Sequence, residues 1–99
     1  MYVLVRRDLT TSQQAVQAIH ASLEAARRFS IPRHEYVVLC AVRNERQLLR
    51  WTHKLQQAGI GFCAFREPDL GNEFTAIATE PVVGEDRRLF RQLQLVKGD

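Results

Sequence analysis

Lysine is nearly missing from this chain. Of 14 basic residues only Lys54 and Lys97 are lysines, and the rest are arginines. Cysteine is as scarce, with Cys40 and Cys63 each inside a strand-like apolar run and no Cys–x–x–Cys spacing anywhere. Two buried free thiols are the favoured reading over a disulfide. His20, His34 and His53 stand at no helical ligand spacing with one another or with carboxylates, so no zinc site and no cofactor is expected. Long hydrophobic runs are absent too. The longest, such as "YVVLCAV", are far too short to span a bilayer, which excludes a helical membrane anchor. The opening "MYVLVRRD" reads as a strand rather than as a leader, and a cytoplasmic location is expected.

What is present is one domain over residues 1–99, with an ordinary 45% of hydrophobic residues and a net charge of +3. Arginine offers a planar fork of donors that matches phosphate and stacks on bases. It recurs in pairs at Arg6–Arg7, Arg27–Arg28 and Arg87–Arg88. Such a surface suits polyanion binding and equally a merely solvated arginine-rich face.

Tyr2 to Arg7 has the β-branched and aromatic character of a buried strand. The stretch "TTSQQAVQAIHASLEAARRF" follows as an amphipathic helix, with Thr11 and Gln14 spaced as a capping box. Val16, Ile19, Leu23 and Ala26 recur at helical spacing and are expected to face the core. Pro32 ends that element. Tyr36 to Val42 is a second strand, whose unbroken apolar run suits a sheet covered on both faces. Asn44 caps a second helix with Leu48, Trp51 or Thr52, and Leu55 inward, and Gly59 closes it with Ile60 packed behind. Gly61 to Arg66 and Phe74 to Thr79 are the third and fourth strands, the fourth a candidate exposed edge. "EPVVGEDRRLFRQLQL" reads as a short last helix with Leu89, Phe90 and Leu93 inward.

The order β-α-β-α-β-β-α predicts an α/β fold: a mixed four-stranded sheet with helices on its faces and the first three strands parallel. Ligands in such sheets sit beyond the carboxyl ends of the parallel strands. Those ends carry Arg6-Arg7-Asp8, Val42-Arg43-Asn44 and Arg66-Glu67-Pro68-Asp69. Asp8 at the entry to the first helix serves either an anion site or a simple cap. The loop "REPDLGNE" places Arg66, Glu67 and Asp69 together before Gly71, and a carboxylate there serves either as general base or in an Asx-type turn. His20, at the margin of the apolar stripe, is either a site residue or a hydrogen-bonded neighbour of the core.

"VLVRRDL" followed by "AVQAIHA", then "PDLG" and "TAIATEP", resembles the archaeal/eukaryotic-type (type 2) peptidyl-tRNA hydrolases along nearly the whole chain. That resemblance implies a mixed four-stranded sheet, often dimeric, and hydrolysis of the ester joining a peptide to the 3′ ribose of tRNA without a metal. It implies Asp69 as the residue that orients or deprotonates water and Thr75 as a hydrogen-bonding partner near the ester. Gln17 and His20 would form the pocket wall, with His20 counted beside Asp69 and Thr75 as catalytic. Arg6, Asp8 and Gly71 would complete the substrate-binding rim. Arg7 is a further substrate-binding candidate from its place at the strand end, not from the resemblance. Where the family has a lysine before the helix this chain has Gln13, and Glu73 replaces a family threonine in an abridged loop. Two functions follow as expectations: a hydrolase of peptidyl-tRNA or a related aminoacyl ester, or a non-catalytic module of the same fold that binds RNA or protein. A homodimer is a further expectation, and a membrane partner is not. A third reading, a small-molecule sensor, rests only on where α/β sheets keep their pockets.

Overall fold

The computed structural model describes residues 1–96 of the domain. Its elements are β1 (Tyr2–Arg6), α1 (Thr11–Arg28), β2 (Val38–Val42), α2 (Glu45–Ala58), β3 (Phe62–Glu67), β4 (Glu73–Thr79) and β5 (Gln94–Leu95). Two 3₁₀ segments, Pro68–Leu70 and Gly84–Phe90, flank β4. The sheet has five strands in the order β3-β4-β1-β2-β5. β1 pairs with β2 in parallel and with β4 antiparallel, and β4 pairs antiparallel with β3. β1, β2 and β3 therefore run the same way, as the crossover rule requires. No helix among the described residues is long and apolar enough to cross a membrane.

Each face of the sheet has its own core. Over one face α2 lays Leu48, Trp51 and Leu55 on Leu4, Cys40, Val42 and Ile77, with Ile60, Val82 and Phe90 closing the ends. The sequence marks this helix well. Asn44 Oδ1 accepts from the Gln47 backbone N–H at 3.0 Å, and Gly59 stops the helix in the left-handed region at φ 71°. Over the other face α1 sets Ala21 and Ala25 against Val3, Val5, Cys63, Ala76 and Ala78. Cys40 and Cys63 are free, buried and on opposite faces.

Five sequence expectations are corrected here. Four strands become five, because the segment read as a last helix is a 3₁₀ turn over Gly84–Phe90 followed by β5. Phe90 and Leu93 pin that segment to the core on either side of a tight turn, and β5 then pairs with β2 at Cys40 and Ala41. So short a segment would gain little as an α-helix, whereas pairing covers backbone groups on the β2 edge. β4 is not an edge: it lies between β1 and β3, and Thr75 to Thr79 are all buried. β2 is fully covered on one face only. Cys40 and Val42 are buried against α2, but Leu39 and Ala41 are only partly covered. The capping box of α1 is one residue earlier, with Thr10 accepting from the Gln13 N–H at 3.1 Å and Gln13 Oε1 accepting from the Thr10 N–H at 3.0 Å.

The fifth correction concerns the face of α1. Val16, Ile19 and Leu23 are 47, 58 and 49% exposed, while Gln17, Ala21 and Ala25 are buried. The helix has two apolar stripes, and the smaller residues go inward because they let its backbone approach β4, β3 and β1 closely. The larger stripe, with Leu39 and Val37 beside it, walls an apolar groove open to solvent.

Candidate functional site

At the carboxyl end of β1, Arg6 is almost fully buried and ties three segments together. Its Nε and Nη2 donate to the two oxygens of Asp8 at 2.9 and 2.8 Å, a bidentate fork. Its Nη1 donates to Glu73 Oε1 at 2.6 Å and to the Phe74 carbonyl at 3.1 Å. The fork from Arg6 holds the Asp8 carboxyl below its ordinary value, and Asp8 and then Glu73 push the guanidinium further up. Arg6 and Asp8 thus pin the turn into α1, and the guanidinium is occupied by protein partners.

Beside this knot the sheet breaks its own rhythm. Ala76 and Ala78 face α1 and Ile77 faces α2, so strict alternation would turn Thr75 toward α2. The register between β3 and β4 slips at this point: Phe65 pairs with Ala76 but Arg66 pairs with Phe74. Thr75 is the extra residue of a β-bulge, and Phe74 packs on the α2 side in its place. The fully buried Thr75 Oγ1 consequently donates to Gln17 Oε1 on α1 at 2.6 Å. Gln17 Nε2 donates onward to Glu67 Oε1 at 3.1 Å. A threonine, a glutamine and a glutamate from three elements form one chain of hydrogen bonds.

That chain surfaces in a cleft of about 270 Å³ between the first turn of α1 and the 3₁₀ turn after β3. Ser12, Gln13, Val16 and Gln17 form one wall, and Glu67, Asp69 and Leu70 form the other. Asp69 makes no hydrogen bond among the described residues, into its own turn or elsewhere. Gly71 at φ 65° and Asn72 at φ 61° carry the backbone through the left-handed region from this loop into β4. Gln13 Oε1 is held by the Thr10 N–H, which leaves its amide NH₂ as a donor at the cleft.

The sequence-selected residues therefore divide. Asp69 and Gln17 line the cleft, Thr75 reaches it through Gln17, and Gly71 shapes its loop. His20 lies outside the lining, exposed and stacked on Phe65 with ring centroids 4.6 Å apart. Arg7 lies at a different opening, and no arginine or lysine among the described residues lines the Asp69 cleft. Two contributors lay outside the set of site residues that the resemblance implies. Glu67 anchors Gln17, and its place at the carboxyl end of a parallel strand was the available signal. Glu73, read only as a departure from the family, is the second carboxylate on Arg6. Among the described residues no group of three or more His, Cys, Asp or Glu side chains is placed to hold a metal. A scan of family models finds none that matches this chain, and a search of curated proteins finds no match either.

Proposed function

We propose that the chain is an ester hydrolase acting on peptidyl-tRNA or a related aminoacyl ester, with Asp69 as the group that activates water. One observation carries this reading. Residues 17, 69 and 75, picked out by the resemblance from separate stretches of sequence, come together at one cleft through a bulge and a buried glutamine. Asp69 takes a proton from water as the water oxygen adds to the ester carbonyl. The tetrahedral centre then collapses, the bond to the ribose oxygen breaks, and the proton leaves with that oxygen. The Gln13 amide donates to the developing oxyanion where the family has a cation. A neutral donor there stabilises charge less than a cation does, so a slow enzyme is expected.

A second reading, a non-catalytic RNA-binding module of the same fold, is favoured by the lack of a cation in the cleft lining and by the Thr75 hydroxyl being spent on Gln17. Hydrolysis of an N-blocked aminoacyl-tRNA decides between them. The hydrolase reading expects release of free tRNA that drops about 10²-fold or more in Asp69→Ala. No release by the wild type, or equal release by the variant, sinks it. RNA binding without release would leave the module.

A further inference from the structure

A second opening of about 350 Å³ lies at the carboxyl ends of β1 and β2, with Arg7, Arg43, Gln47, Gln92 and Gln94 around it. It shares no lining residue with the Asp69 cleft. β1 leads into α1 over one face of the sheet, and β2 leads into α2 over the other. The two connections diverge, and the gap between them is the topological switch point, where open α/β sheets bind ligands.

The hydrogen-bond inventory says what kind of ligand fits. Arg6 pairs with Val42 in the parallel register, so Arg7 and Arg43 follow as neighbours on adjacent strands. Among the described residues the Arg7 guanidinium spends a single N–H, from Nη1 to Gln94 Oε1 at 3.0 Å. The Arg43 guanidinium makes no hydrogen bond or ion pair among the described residues. Gln47 Oε1 is taken by the Arg43 backbone N–H at 2.6 Å. The acceptor oxygens of Gln47 and Gln94 are thus consumed, while their NH₂ groups and most of the two guanidiniums' donors stay open. No carboxylate among the described residues lines the opening. A lining of two like charges and surplus donors is complementary to a compact anion rich in acceptor oxygens.

We propose that this opening is a phosphate-binding site, gripped by Arg7 and Arg43 with Gln47 and Gln94 as supporting donors. The phosphate belongs either to an RNA strand or to a free nucleotide or phosphate ion. The site does not depend on whether Asp69 hydrolyses anything. Its test uses the full chain and two probes: a fluorescent RNA minihelix with a single-stranded CCA end, followed by anisotropy, and AMP or inorganic phosphate, followed by amide chemical shifts. Arg7 and Arg43 are exposed, so Arg7→Gln/Arg43→Gln keeps the fold, which a thermal melt checks. Affinity for the minihelix is expected to fall at least about tenfold in the double variant. The slope of log K against log salt should shrink by about 2, roughly one per arginine. Gln94→Glu, which brings a carboxylate into the lining, should weaken binding in the same direction. If only AMP or phosphate moves the Arg43 and Gln47 amides, and only in the wild type, the site stands and its ligand is the free species. Binding of either probe unchanged in the double variant overturns the proposal, as does a wild type that binds neither.

Discussion

The two faces of one sheet are built on opposite plans. On the α2 side Leu48, Trp51, Leu55 and Phe90 fill the space with bulk, and the helix stands off to accommodate them. On the α1 side alanines at 21, 25, 76 and 78 bring helix and sheet together, and the bulky residues of α1 point away. The first face is held mainly by buried apolar volume, with the Phe74 N–H donating to Glu45 Oε2 at 2.9 Å as a polar tie between β4 and α2. The second admits a buried polar chain, Thr75–Gln17–Glu67, because close backbone approach lets one Gln17 amide reach both the Thr75 hydroxyl and the Glu67 carboxylate. The candidate site lies on the thin side, where the helix itself can supply a wall.

The sharpest way to break this contrast is to remove bulk from the thick side. Leu55→Ala, at a fully buried position, is expected to cost about 2–5 kcal/mol, measured by urea unfolding. Bulk added to the thin side is the mirror test. Ala21→Leu should cost about 1–3 kcal/mol by overpacking and lower the melting temperature. Gln17→Leu should cost about 1–3 kcal/mol, since Thr75 and Glu67 each lose a partner. Adding Thr75→Val to it should recover part of that loss in a double-mutant cycle, because a buried donor disappears. The Arg6 knot adds a pH dependence. Asp8 is held below its ordinary value of 3.8 by the hydrogen bonds from Arg6, so its contribution is present above that value. It is lost as pH falls through the depressed folded value. The fall in urea midpoint between about pH 5 and about pH 2.5 should therefore shrink in Asp8→Asn. Smallest of all is Leu23→Gln on the exposed stripe, expected within about 0.5 kcal/mol of the wild type by the same unfolding assay.

The α2 half of this contrast was legible in the sequence. Asn44, Gly59 and the spacing of Leu48, Trp51 and Leu55 agree at every level, so cap, stop and face follow from local rules. The α1 half was not. Val16/Ile19/Leu23 and Gln17/Ala21/Ala25 lie on nearly opposite sides of the helix, roughly 170° apart, and only the sheet's demand for small partners chooses between them. The central position of β4 is a long-range pairing that local pattern does not encode. The uncharged run "FTAIAT", buried through its Thr75 to Thr79 part, was a usable hint. β5 is two residues long and has no periodicity to read. For the site, sequence located the strand ends and Asp69, whereas the bulge depends on the register of two strands and leaves no single-residue mark.

That bulge makes the candidate site sensitive to counting rather than to chemistry. Threonine, serine or valine at position 75 would each leave the sheet's phase intact. Losing the position altogether would restore regular alternation with Phe74 still on the α2 side, and would leave Gln17 without the buried hydroxyl that it accepts from. Gaining one residue nearby would do comparable harm. Over generations such a strand tolerates exchanges of its letters far better than a change in its length, and the pairing of β3 with β4 acts as a ruler that keeps the site in frame.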